Sequence, residues 1–236
     1  MVRALAIETS GRTGSVALVE GGAVVAQDQF PHGLRHAAEI VNRIDALCRA
    51  VHWKPGDLAH LYVSIGPGSF TGLRIGVTLA KTLAFATGAL VVAVPSVEVL
   101  VRNAPPGWQH AVIVLDAKRD QVFTARFANQ DGEPVEAEPA HLDSLAAMLE
   151  RSPRPVHLIG EGVPFHERFI AQAGAGIVLT PPELWQARAS AVARIGTRLA
   201  DQGKFVAADR LTPLYVRKPE AEEKFAERMR LGAAVE

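Results

Sequence analysis

Three strand-like runs crowd into the first thirty residues of this chain, and the gaps between them are too short to hold a helix. Residues 4–8 form an apolar run, 9–13 a polar turn, 14–19 a second run and 23–30 a third, with Gly21-Gly22 as the hairpin between the last two. Antiparallel neighbours need only such short links, whereas parallel ones need a long crossover, so these runs predict an antiparallel meander. A helical pattern follows over 34–51, with Ala37, Val41, Ile44 and Cys48 on one face and Ile40, Leu47 and Val51 beside them. A strand at 61–65, a helix from Gly72 and a strand at 90–94 complete the unit.

The second half repeats this order. Strands are predicted at 111–115 and 122–127 around the loop 116–120, with Asp131-Gly132 as a hairpin signal and 134–138 as the third strand. A helix at 144–150, a strand at 156–159, a helix at 164–173, a strand at 177–180 and a last helix over 184–202 follow. Pro105, Pro106 and Gly107 mark the break, which divides the chain into units 1–103 and 104–236. The charged end, 220–230, reads as a solvated helix or a frayed terminus. Two tandem βββαβα units resemble the actin-like ATPase and sugar-kinase superfamily, an α/β fold related to ribonuclease H. A doubly wound dinucleotide fold fits worse, because it needs helices between the first three strands.

The junction at Gly66-Pro67-Gly68-Ser69-Phe70-Thr71-Gly72 joins strand to helix through a glycine turn. Its glycines permit a sharp turn and close approach of another backbone, and Ser69 or Thr71 can cap the helix. A glycine turn at a helix start is also a potential anion site, though many α/β proteins use one for packing alone. Beyond it Gly72, Gly76, Ala80, Ala84 and Gly88 recur every four residues on one face. Interior glycines cost a helix about 1 kcal/mol each relative to alanine, so a close backbone neighbour is expected. That neighbour is either the helix's own sheet or a helix of another subunit. The partner interface is expected on the second alternative, at Gly72, Gly76, Ala80 and Ala84 with Ala37, Val41 and Ile44 of the preceding helix.

Lys plus Arg, at 25, equal Asp plus Glu, also 25, which argues against autonomous nucleic-acid binding. Cys48 is the only cysteine, so no internal disulfide can form. The chain starts almost at once in a strand-like run, and its most apolar stretch, 90–101, is too short to span a bilayer. The expectation is a cytoplasmic protein without membrane contact.

Ile7-Glu8-Thr9-Ser10, the glycine block, Asp116-Ala117-Lys118-Arg119 and Pro213-Leu214-Tyr215-Val216-Arg217 together resemble the TsaB family, formerly YeaZ. The resemblance implies a role in making N6-threonylcarbamoyladenosine beside the anticodon of tRNA. It implies a non-catalytic scaffold that pairs with the catalytic TsaD through N-terminal domains. TsaE as the ATPase and tRNA are reached through the complex, TsaC makes the threonylcarbamoyl-adenylate, and a homodimer forms when the chain is alone. TsaD carries a metal-binding His-x-x-x-His pair just past the strand that follows the glycine helix. The matching stretch here, Val94-Pro95-Ser96-Val97-Glu98-Val99-Leu100, has no histidine, so the resemblance implies the degenerate partner rather than the enzyme.

His32 and His36 form a His-x-x-x-His pair elsewhere, without the glutamate of a metalloprotease helix, and are read as an exposed helix start. No metal site is expected. Thr9, Ser10, Gly11, Thr13 and Gly14 resemble the superfamily's first phosphate hairpin in type and are candidates for weak nucleotide binding. The opposing turn, Ala117-Lys118-Arg119-Asp120, lacks the glycines of catalytic relatives, and Gly160-Glu161-Gly162 is a candidate adenosine-turn remnant. No resident cofactor is expected. Asp116 is a candidate general base, with no histidine or second carboxylate beside it in sequence. The competing function is an ATP-dependent phosphotransferase, and a metallopeptidase is disfavoured by the missing ligands.

Overall fold

Period-two alternation sorts the first strands into two faces. The computed structural model describes residues 1–31 and 36–216. In it β1 (Arg3–Glu8) lies between β2 (Thr13–Glu20), antiparallel, and β4 (His60–Gly66), parallel; β3 (Ala23–Pro31) and β5 (Leu90–Pro95) form the edges. Leu5, Ile7, Val16, Leu18, Leu61 and Val63 share one core with residues of α1 (His36–Ala50) and α2 (Phe70–Thr87). Ala4, Ala6, Ala17, Val19 and Tyr62 share a different one.

The second sheet repeats the first. Its centre is β6 (His110–Asp116), antiparallel to β7 (Gln121–Gln130) and parallel to β9 (Val156–Ile159), with β8 (Glu133–Ser144) and β10 (Ile177–Leu179) at the edges. The strand orders β3-β2-β1-β4-β5 and β8-β7-β6-β9-β10 coincide, so the two-unit α/β architecture expected from sequence is present.

Several boundaries differ from expectation. The last strand of the second meander, β8, is much longer than 134–138, extending through register shifts against β7. The expected helix 144–150 is α4 (Leu145–Arg151), whereas the expected helix 164–173 is a 3₁₀ turn, Val163–Phe165, followed by α5 (Glu167–Gln172). The helix expected over 184–202 begins only at Ala189, as α6 (Ala189–Asp201), after a separate turn at Pro182–Leu184. One helix was not anticipated: α3 (Ser96–Val101), whose Val97, Val99, Leu100 and Val101 are all buried between the lobes.

The assignment of everything past residue 103 to the second unit needs correction. Helix α6 packs on the small-residue face of the first sheet, so closely that a Cβ on Gly196 would collide with the Tyr62 ring. Val206 then bridges Val91, Leu211 enters the core beneath α1 and α2, and Leu214 N donates to Ile65 O at 2.7 Å. The C-terminal segment returns to the first lobe because Ala4, Ala6 and Ala17 leave room there for the buried face of α6. His32, Arg217 and the charged end 220–230 lie outside the described residues.

Candidate functional site

The glycine junction closes on the first turn of its own lobe. Gly66 has φ +112°, a left-handed value suited to glycine. Ser69 caps α2, its Oγ accepting from Gly72 N at 3.3 Å, and its own amide donates to Ser10 O at 2.7 Å. Thr9 Oγ1 donates to Gly72 O at 2.8 Å. A Cβ on Gly68 would strike Ser10 O, one on Gly72 would strike Thr9 O, and one on Gly76 would strike Thr9 Oγ1.

The close neighbour of the small-residue stripe is therefore β1 and the turn after it. Gly72, Gly76, Ala80 and Ala84 are buried against their own sheet and offer no groove to another subunit, which corrects the expected interface. The outward face of α2 instead carries Thr71, Arg74, Thr78, Thr82 and Phe85, the last 94% exposed. In α1 the four-residue spacing of Ile40, Ile44 and Cys48 turns those side chains inward. Ile44 is thus core, whereas Val41 is 53% exposed; Ala37 lies in the first turn of α1.

Between the lobes, the candidate phosphate turn is already engaged. Glu8 is fully buried at the end of β1, and its Oε1 accepts from Ser10 N at 2.5 Å. Burial pushes the Glu8 carboxyl above its ordinary range; the hydrogen bonding of Ser10 opposes that shift, and the charge of Glu161 adds to it. A Cβ on Gly14 would enter the Phe30 ring, so this glycine serves packing within the lobe. Arg12 N donates to Glu161 Oε2 at 2.8 Å, and the Arg12 guanidinium lies 4.9 Å from the centre of the Phe165 ring. Thr13 opens β2 beside this turn.

Across the cleft, Lys118, Arg119 and Asp120 have φ of 62°, 54° and 60°. The turn thus keeps a left-handed path without glycine, at about 1–2 kcal/mol for each such residue. Asp116 Oδ1 accepts from Lys118 N at 3.3 Å and also lies 3.3 Å from Nε2 of the buried His166. This histidine was missed because fifty residues of sequence separate it from Asp116, and only the turn after β9 brings them together. Gly160 and Gly162 pack on the backbone of β6: a Cβ on the first would strike Val114 O, and on the second would lie 2.6 Å from Asp116 N. Ser96 Oγ accepts from Gly66 N at 3.0 Å, so the stretch 94–100 braces the glycine turn. Among the described residues no group of three His, Cys, Asp or Glu side chains is placed to hold a metal ion.

These features define a two-lobed protein of the actin-like ATPase and sugar-kinase class, with cleft turns that its own side chains engage. The family model described as "TsaD: tRNA N6-adenosine threonylcarbamoyltransferase" matches residues 33–224. The chain is 33% identical over 230 residues to the tRNA threonylcarbamoyladenosine biosynthesis protein TsaB of Bacillus subtilis, covering 94% of this chain and 97% of that one. It is 27% identical to the TsaB of Escherichia coli, over 94% of this chain and 98% of the relative. The solved YeaZ of Pseudomonas aeruginosa shares the fold with a TM-score of 0.78 at 24% identity, over 91% of this chain and all of that structure. The chain belongs to the TsaB (YeaZ) family.

Proposed function

We propose that this chain takes part in tRNA threonylcarbamoyladenosine biosynthesis as a non-catalytic subunit that binds and activates a TsaD-type transferase. The observation that carries the reading is the match over nearly the full chain to relatives named for that pathway. The engagement of Thr9, Ser10 and Arg12 by the chain's own groups supports a role without catalysis. The docking face is the outer surface of α1 and α2, centred on Val41, Thr78, Thr82 and Phe85, where apolar and small polar side chains stand exposed. The same face pairs two copies in a near-symmetric homodimer when the catalytic subunit is absent. TsaE and tRNA are met through the complex, in the cytoplasm; among the described residues no helix is long and apolar enough to cross a membrane. Nucleotide binding by the chain alone is at most weak.

The test is co-purification with a TsaD-type protein, followed by a tRNA modification assay with and without this chain. Phe85→Glu places a charge on the proposed face and is expected to abolish both pairings while leaving circular dichroism unchanged. Full modification by the transferase alone, or unchanged affinity of Phe85→Glu, rejects the reading. A second reading, ATP-dependent phosphotransfer, is favoured only by the contact of His166 with Asp116. ATP turnover by the purified chain, lost on Asp116→Asn, would establish it instead.

A further inference from the structure

We infer that the turn at Gly11 and Arg12 is a carboxylate site whose ligand is the protein's own Glu161, contributed by the other lobe. Arg12 N reaches Glu161 Oε2 at 2.8 Å, a charge-assisted hydrogen bond across 149 residues of sequence. The carboxylate lies directly against Gly11: a Cβ there would be in ordinary contact, at 3.4 Å, with both Glu161 oxygens. Gly160 and Gly162 hold the segment bearing Glu161 against the β6 backbone, so the carboxylate is delivered by a rigid support. Arg12 closes the contact from its own side by stacking on Phe165, four residues beyond Glu161. Main-chain amide and side-chain cation of one residue thus grip the same turn of the opposite lobe.

The contact has two consequences. It latches the lobes at the mouth of the cleft, tying the turn after β1 to the turn after β9. It also puts a fixed negative charge where an incoming anion would meet the Arg12 amide, with the Glu8 carboxyl close enough behind to feel that charge. A phosphate or carboxylate ligand reaches this turn only by displacing Glu161. The inference does not depend on the partner-subunit reading, since it concerns the isolated chain.

Inorganic phosphate is the probe, titrated into the full chain while the Arg12 amide is followed by nuclear magnetic resonance, for wild type, Glu161→Gln and Glu161→Ala. Removing the carboxylate is expected to shift the Arg12 amide resonance upfield before any phosphate is added. Glu161→Ala is then expected to bind phosphate at least tenfold more tightly than wild type, with the Arg12 amide among the resonances that move. Glu161→Gln keeps the side chain's size and a neutral acceptor, and decides the matter if the alanine variant folds poorly. An Arg12 amide that ignores both substitutions, or phosphate affinity equal in all three proteins or absent from all three, overturns the inference.

Discussion

Replacing Gly72 with alanine sets two opposing effects on one helix. In a free helix the change would stabilise by about 1 kcal/mol, because glycine is that much poorer than alanine. Here the new methyl would meet Thr9 O well inside the 3.0 Å that real Cβ contacts respect, and the obstacle is backbone, which cannot rotate aside. Overpacking of this kind costs about 1–3 kcal/mol or more. Any shift of α2 that relieves it also strains the buried bond from Thr9 Oγ1 to Gly72 O, worth about 1 kcal/mol. The penalties exceed the gain, and a net loss of about 2 kcal/mol is expected. For a chain of this length that lowers the melting temperature by roughly 4–8 °C. Urea denaturation of Gly72→Ala against Thr78→Ala, on the exposed face of the same helix, makes the comparison internal. The Thr78 change should stay within about 0.5 kcal/mol of wild type. A Gly72→Ala protein more stable than wild type would mean that the stripe is open, and that the inward packing described above is wrong.

The Glu8 carboxyl sits above its ordinary value of 4.5 in the fold, so between that value and its folded one the native state keeps a proton that the unfolded chain releases. Stability from this group therefore falls as pH rises through that window, by up to about 1.4 kcal/mol per pH unit. Glu8→Gln should flatten the profile, and parallel denaturation curves for the two proteins from about pH 4 to 8 would show Glu8 to be ionised in the fold. Arg151 holds Glu138 below its ordinary value chiefly through a 2.7 Å hydrogen bond, so its contribution is present above pH 4.5 and lost as pH falls through the lowered value. Arg151→Ala should return Glu138 toward 4.5 by carboxyl-carbon resonance, at a stability loss of only about 0.2–1 kcal/mol because the pair is partly solvated.

The duplicated meander was legible because short links between alternating runs admit no other connection, and both copies carry them. Helix α3 was not. Its valines at 97, 99 and 101 favour strand over helix locally, and only enclosure between two lobes favours the helical turn that buries Val97, Leu100 and Val101 together. The glycine stripe revealed that something comes close to α2 but not what, since Thr9 lies 63 residues before Gly72 and no periodicity links them. The same blindness hid the meeting of His166 with Asp116 and of Glu161 with Arg12, both created by the turn after β9.

A phosphate-binding turn and an internal joint are built from the same residues, and what separates them is where the donors point. In this chain Ser69 N serves Ser10 O, Thr9 Oγ1 serves Gly72 O, Ser10 N serves Glu8 and Arg12 N serves Glu161. Each of these bonds would have to be exchanged before a ligand could use the donor, and a buried acceptor left behind unpaired, such as Ser10 O, Gly72 O or the Glu8 carboxyl, costs about 1–3 kcal/mol. The glycine block thus acts as a clasp that fixes α2 on β1 and so fixes the direction of the outer face of α2. On that face Phe85 stands fully in solvent, a position that the folding of this chain alone does not require. Rigid internal joints behind an exposed aromatic side chain suit a surface preorganised for another protein, because less ordering is left to pay for on association.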